Sequence, residues 1–196
     1  MKSPPLILAS TSRYRHELLL RLRLPFEVVA PNVDESPNPG EAPAQLAQRL
    51  AMAKANAVSA LYPEAIVIGS DQVADLDGQP IGKPGTHQNA VLQLQRMRGR
   101  RVTFQTAVAV VCTQHGYAKG LLAAVGVRFR SLTDAEIERY LTIEQPYDCA
   151  GSAKCETLGI ALLDAIDSDD PTALVGLPLI RTCQLLREAG LDPLRP

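Results

Sequence analysis

Short apolar runs alternate with stretches of helical periodicity, and this order constrains the fold more than any other feature of the sequence. Leu6-Ile7-Leu8-Ala9 is a buried-strand pattern, and Ser10-Thr11-Ser12 follows it where a helix N-cap belongs. Leu18, Leu19 and Leu22 then recur at helical spacing. Phe26 to Ala30 reads as a second strand. A proline-rich loop over residues 31–43 leads into a long helix with Leu46, Leu50, Ala53, Ala57 and Leu61 along one stripe. Ala65 to Gly69 reads as a strand ending in Ser70-Asp71-Gln72, and Asp77-Gly78 closes a hairpin between Val73-Ala74 and Pro80-Ile81. A helix containing Val91, Leu92 and Met97 ends near Gly99. Two long strands, Val102 to Cys112 and Leu121 to Phe129, join around His115-Gly116. Thr133-Asp134-Ala135-Glu136 fits a capping box and opens another helix. A strand near Ile160 to Ile166 and a last helix from about Pro178 to Gly190 complete the chain. The pattern predicts an α/β fold on a mixed sheet, and 196 residues suit one domain over 1–196.

Composition narrows the function classes. At 46% hydrophobic and 21% charged the chain has the balance of a soluble globular protein. It contains no uncharged apolar run of transmembrane length. Met1 to Pro5 runs into only four apolar residues, unlike a signal peptide, so the expected location is cytoplasmic. A net charge of −1 and 4% aromatic residues argue against nucleic-acid binding. Cys112, Cys149, Cys155 and Cys183 include no C-x-x-C pair, and no zinc site is readable among them and the three scattered histidines. Four free thiols are expected.

The informative polar residues are those that folding alone would place elsewhere. Advancing about 100° per residue, Arg15 falls between Leu19 and Leu22 on the face meant for the core. A buried guanidinium needs an anion. Ser10, Ser12 and the free N–H groups of the first turn point to a phosphate; a buried acid in a salt bridge is the alternative. Asp71 ends an apolar strand, where ligands gather in open α/β sheets. It can serve as general base or metal ligand, or cap a turn. Lys54 flanks the apolar stripe of its helix and either reaches into a cleft or snorkels to the surface. Lys83 sits in a Gly-Lys-Pro-Gly loop that lacks P-loop spacing. Glu35, read alone, is a loop acid. Together Arg15, Lys54 and Lys83 supply cations and Glu35 and Asp71 supply carboxylates, the mixture that phosphoanhydride cleavage needs.

At these residues the sequence resembles the Maf family of nucleotide pyrophosphatases. The resemblance lies in Leu6 to Ser10 with Ser12 and Arg15, in Val33-Asp34-Glu35, Ala53-Lys54-Ala55, Gly69 to Val73 and Gly82-Lys83-Pro84, and continues through Cys149 to Ser152 and Leu174 to Pro178. It implies an elongated, two-lobed α/β fold, similar to that of inosine triphosphate pyrophosphatases, with the active cleft between the lobes. The implied activity is hydrolysis of nucleoside triphosphates to monophosphate and pyrophosphate with a divalent cation, magnesium or manganese. By the same resemblance Asp71 matches the proton acceptor that activates water. Ser10, Arg15, Lys54 and Lys83 match the phosphate shell, and Glu35 joins Asp71 toward the metal. The family's usual proline after the second serine is Arg13 here.

The resemblance is closest to the branch acting on 7-methyl-GTP, whose three specificity positions match Tyr14, Gln72 and Glu156. Methylation at N7 makes guanine cationic, so an aromatic face suits it, and Glu156 can accept from the guanine N1–H and exocyclic amine. The alternatives are the dTTP/UTP branch, which has arginine at the position of Tyr14, and a non-catalytic nucleotide-binding regulator of cell division. Asp71 separates the last from an enzyme, because a pure binder gains only repulsion from a carboxylate beside phosphates. The expected partner is a small-molecule nucleotide, with neither nucleic acid nor membrane; a homodimer stays open.

Overall fold

A computed structural model describes residues 4–195; the first three residues of the Met1–Pro5 stretch considered as a leader lie outside them. One seven-stranded mixed sheet organises the chain. Its strands are β1 (Leu6–Ala9), β2 (Glu27–Val28), β3 (Ile66–Leu76), β4 (Gln79–Ile81), β5 (Arg101–Cys112), β6 (Tyr117–Phe129) and β7 (Leu163–Asp167). They run in the order β2-β1-β3-β5-β6-β7, with β4 paired to β3. Pairing around β1 is parallel and the rest is antiparallel. The helices are α1 (Arg13–Leu20), α2 (Pro43–Ser59), α3 (His87–Met97), α4 (Asp134–Glu144) and α5 (Leu179–Glu188). This is the mixed α/β fold expected. Among the described residues no helix is long and apolar enough to cross a membrane.

Local chemistry fixes several boundaries. The Asp77-Gly78 turn has positive φ at both residues (54° and 80°), which closes the β3–β4 hairpin with Leu76 opposite Gln79. Thr133 and Glu136 form the reciprocal capping box of α4. Three boundaries differ from the sequence pattern. The second strand contracts to two exposed residues, Glu27 and Val28. β6 begins at Tyr117 because a tight turn through Gly116 keeps it paired from Cys112 onward. The strand expected from Ile160 starts at Leu163, after a 3₁₀ segment over Leu158–Leu162.

Two corrections matter more. β3 does not stop at Ser70-Asp71-Gln72; antiparallel pairing with β5 carries it unbroken from Ile66 to Leu76. What ends near Asp71 is its parallel partner β1, whose last residue, Ala9, lies opposite Gly69. The buried face of α2 is Leu46, Ala47, Leu50, Ala51, Lys54, Ala55 and Val58, whereas Ala53 and Ala57 are only part-buried and Leu61 is exposed beyond the helix. Steps of four residues from Leu50 follow the buried face to Lys54 and Val58, while a step of three rotates off it. Lys54 therefore stands inside the stripe and not beside it.

Strand alternation explains where the lobes meet. On one face of β3, Ile66 and Ile68 join a core with α1 and α5, while Ala74 and Leu76 join another with α3 and α4. Between them the same face carries Ser70 and Gln72. With Thr106 of β5 they hold the turn over residues 173–176 by hydrogen bonds: Ser70 Oγ donates to Gly176 O (3.1 Å), Thr106 Oγ1 to Ala173 O (2.9 Å), and Gln72 Nε2 to Ala173 O and Leu174 O (2.9 and 3.0 Å). The opposite face packs on α2 through Val67 and Val73. There Gly69 lets the helix approach: a Cβ would overlap Ala51 O and lie 2.6 Å from Ala55 N.

Candidate active site

A cleft of about 820 Å³ opens at this junction, a volume typical of small-ligand sites. All nine candidate residues line it: Ser10, Tyr14, Arg15, Glu35, Lys54, Asp71, Gln72, Lys83 and Glu156. A second hollow of about 530 Å³, bounded by Arg101, Asp167, Asp169 and Arg181, contains none of them. Its charges are paired off as Arg101–Asp167 and Arg181–Asp169.

The centre is a buried lysine between two acids. Lys54 is only 4% exposed and Asp71 7%. Lys54 Nζ lies 2.7 Å from Asp71 Oδ1 and 2.7 Å from Glu35 Oε1. α2 and β3 supply the rigid pair, and the 31–43 loop brings Glu35, whose side chain stays 55% exposed. Desolvation pushes the Glu35 carboxyl up, but the Lys54 hydrogen bond and the charges of Lys54, Lys83 and Arg15 outweigh it and hold the group below its ordinary value. Arg49 pins the loop, binding Glu41 through two nitrogens (2.6 and 2.8 Å) and donating to Ser36 O (2.9 Å).

Arg15 has no carboxylate within ion-pair distance among the described residues. Its Nε donates to Gly176 O (2.9 Å) and its Nη1 to Ser10 Oγ (3.4 Å). Burial lowers the guanidinium's pKa, while Asp71 and Glu35 act at longer range to restore it. The structural salt bridge is thus not what holds Arg15; a carbonyl and a hydroxyl orient it, and charge is left for an anion. Ser12, and not Ser10, caps α1 by accepting from Arg15 N (3.5 Å). Ser10 Oγ accepts from Ser12 N (3.1 Å). Lys83 is exposed at the end of β4, in a loop fastened through Gly82 O, which accepts from Gln93 Nε2 (3.1 Å) and Gly151 N (3.3 Å).

At the other end stand Tyr14 and Glu156. The Tyr14 ring lies with Arg13 Cζ 4.8 Å and Lys154 Nζ 5.9 Å from its centroid. Burial raises its hydroxyl's pKa, and the hydroxyl donates weakly to Asp148 Oδ2 (3.5 Å). Glu156 is exposed. Gln72 faces away from its neighbour Asp71, with its amide nitrogen shared among Thr106 Oγ1 and two backbone carbonyls. Its side chain therefore anchors the 173–176 turn, and only its carbonyl oxygen is left for a ligand. Burial pushes the thiols of Cys149 and Cys155 up to about 12, which disfavours the nucleophilic thiolate. All four cysteines are free, as expected.

The pattern of residue types did not reveal the 173–176 turn, because backbone carbonyls do its work; Gly176, with φ 124°, was the available signal. It also missed the pair Lys154–Glu144, ten residues apart and joined only by the fold. Among the described residues, no group of three or more His, Cys, Asp or Glu side chains could hold a metal ion.

Comparison with known proteins bears on this constellation. A family model described as Maf-like protein matches residues 5–189. The 7-methyl-GTP pyrophosphatase of Polaromonas sp. (strain JS666 / ATCC BAA-500) is 68% identical over 189 residues, covering 96% of this chain and 86% of that protein. The protein of the same name from Albidiferax ferrireducens is also 68% identical, over 96% of this chain and 95% of its own. That of Bordetella pertussis is 59% identical over 191 residues, with 97% and 95% covered. Among solved structures, the Staphylococcus aureus Ham1 protein is similar at 16% identity and a TM-score of 0.47, over 65% of this chain and 72% of that one.

Proposed function

We propose, from the premise that this chain belongs to the Maf-like protein family, that it hydrolyses 7-methyl-GTP to 7-methyl-GMP and pyrophosphate. The observation that carries the reading is the Lys54 ammonium clamped 2.7 Å from both Asp71 and Glu35 in a cleft with a cationic end and an aromatic, acidic end. Relatives named 7-methyl-GTP pyrophosphatase, 59–68% identical over nearly the whole chain, support the same substrate.

The triphosphate lies toward Arg15, Ser10 and Lys83, whose charges and donors offset the four phosphate charges. Asp71 Oδ1 is occupied by Lys54; Oδ2 takes no protein donor among the described residues and is the oxygen that removes a proton from water. The water oxygen attacks the α-phosphorus, the bond from that phosphorus to the bridging oxygen breaks, and pyrophosphate leaves. Lys54 pairs the buried Asp71 carboxylate, which would otherwise be an uncompensated buried charge, and draws the half-exposed Glu35 beside it.

The donor set fits a divalent cation. Two carboxylates converge, one of them more than half exposed and able to turn from Lys54, and magnesium is commonly held by one or two carboxylates with substrate phosphates. Asp71 and Glu35 would hold it together with the nucleotide, and it would supply charge neutralisation on the phosphates.

Tyr14 supplies a face for the cationic base and Glu156 an acceptor for its edge donors. The experiment is a panel of nucleotides with magnesium present. 7-Methyl-GTP should be cleaved at least tenfold more efficiently than GTP, UTP or dTTP, since aromatic stacking contributes about 1–3 kcal/mol per base and the base cation adds to it. Equal efficiency on dTTP and UTP would overturn the substrate assignment.

A further inference from the structure

One buried ion pair touches both walls of the base end and belongs to neither. Lys154 is 8% exposed, and its Nζ donates to Glu144 Oε1 at 2.7 Å. The same ammonium sits 5.9 Å from the Tyr14 ring centroid. Glu144, itself mostly covered, accepts with its other oxygen from Leu158 N (3.2 Å). The backbone between them winds tightly around the pair: Thr157 N and Oγ1 both donate to Lys154 O (3.1 and 3.2 Å), and Gly159 packs against the Lys154 backbone so closely that a Cβ there would lie 2.7 Å from its nitrogen. Glu156 stands in this turn and faces the cleft.

A lysine beside the ring that should stack a cationic base is a problem unless its charge is cancelled. Glu144 cancels it at the shortest distance available. The other charges near Tyr14 are Glu156, Asp148 and Arg13. Asp148 and Arg13 both hydrogen-bond its hydroxyl, and Arg13 Cζ also lies 4.8 Å from the ring centroid, but both are exposed, so solvent screens them more than the buried Lys154. With Lys154 neutralised, the carboxylate of Glu156 faces only the solvent-screened Arg13 in setting the field that a bound base meets.

We infer that the Lys154–Glu144 pair is a specificity device, a charge-compensated strut that positions Tyr14 against the Glu156 turn while keeping the base pocket attractive to a cationic purine. The inference rests on the 7-methyl-GTP reading above. Lys154 and Glu144 act as positioning residues through Tyr14 and Glu156 and do not touch the reacting atoms.

7-Methyl-GTP and GTP differ by one methyl group and one positive charge, so the ratio of their kcat/KM values reads the field directly. Glu144→Gln leaves the ammonium uncompensated and should lower that ratio about three- to tenfold, the effect of one unit charge acting across a partly solvated pocket. Lys154→Met leaves Glu144 as an extra negative charge and should raise the ratio. Glu144→Gln combined with Lys154→Met removes both charges and should return the ratio to near the parent value. A purely structural strut predicts that both single variants lower the ratio, and that result would overturn the inference, as would no change in either. Should Glu144→Gln fail to fold, the sign of the change in Lys154→Met decides; should Lys154→Met fail to fold, Lys154→Gln removes the same charge and its sign decides in its place. A parent enzyme whose ratio is near one overturns the substrate reading itself. A parent with a strong preference that none of the variants moves overturns only the role of the pair.

Discussion

Replacing Gly69 by alanine tests how the fold sets the catalytic spacing. A Cβ at this position would meet backbone and not the end of a flexible side chain: it would overlap Ala51 O and lie 2.6 Å from Ala55 N. Restoring an ordinary contact of 3.4 Å moves α2 outward by about 0.8 Å at Ala55 N and by more at Ala51 O, so about 1 Å at its contact with β3. Lys54 is on that turn of α2, so its 2.7 Å contact with Asp71 opens toward a distance where a charge-assisted hydrogen bond is weak. Overpacking a close-packed core costs about 1–3 kcal/mol, and a clash with helix backbone belongs at the upper end. At roughly 2–4 °C per kcal/mol for a chain of this size, the melting temperature should fall by about 6–12 °C. Turnover of the folded variant should fall further than stability implies, by about 10- to 100-fold, because a misplacement near 1 Å in a catalytic constellation has that effect. Thermal unfolding followed by fluorescence, with 7-methyl-GTP hydrolysis assayed well below the transition, measures both. A melting temperature within 2 °C of the parent (an effect below ~1 kcal/mol) and undiminished turnover would refute the close-packing argument.

Asp71→Asn should retain the fold and nucleotide binding while losing most turnover, at least about 100-fold, the contribution of a positioned general base; kcat with KM on the purified variant checks it. Lys54→Met should shift the acid limb of the pH–rate profile to higher pH, since Lys54 is what draws the Glu35 carboxyl below its ordinary value of 4.5. The linkage has a definite sign: a depressed carboxylate contributes stability that is present above its unfolded value near 4.5 and is lost as pH falls through the lowered folded value. Pairwise acid unfolding of parent and variant should therefore converge as pH drops below that window. Chelator should abolish hydrolysis, and magnesium or manganese should restore it; full activity in excess chelator would remove the metal from the account.

Part of the site was legible where chemistry and folding disagreed, whereas Tyr14, Gln72 and Glu156 were singled out by the family resemblance alone. Arg15 on a core-facing position signalled an anion, and among the described residues no acid lies within ion-pair distance of it. Lys54 was legible only as flanking the apolar stripe, with cleft and surface both open: a stripe counted through Ala53 and Ala57 differs from the true one through Lys54 and Val58 by a single residue, and periodicity alone does not settle such a phase. Asp71 looked like a strand end because three polar residues follow an apolar run. Only the pairing partner distinguishes an ending strand from one whose faces turn polar, and β5 carries β3 onward. For the backbone carbonyls of residues 173–176 the signal was Gly176 within the Leu174 to Pro178 stretch, which names no donor or acceptor, and the Lys154–Glu144 pair left none. The first have no side-chain identity, and the second are joined through tertiary contact.

The claim at the centre of this account is attack on the α-phosphorus by water that Asp71 deprotonates. Hydrolysis of 7-methyl-GTP in water labelled with heavy oxygen, followed by mass spectrometry of the products, measures it directly. The account predicts label in 7-methyl-GMP and none in pyrophosphate, and near-loss of both products with Asp71→Asn. Label in pyrophosphate, or release of orthophosphate and 7-methyl-GDP, would contradict it.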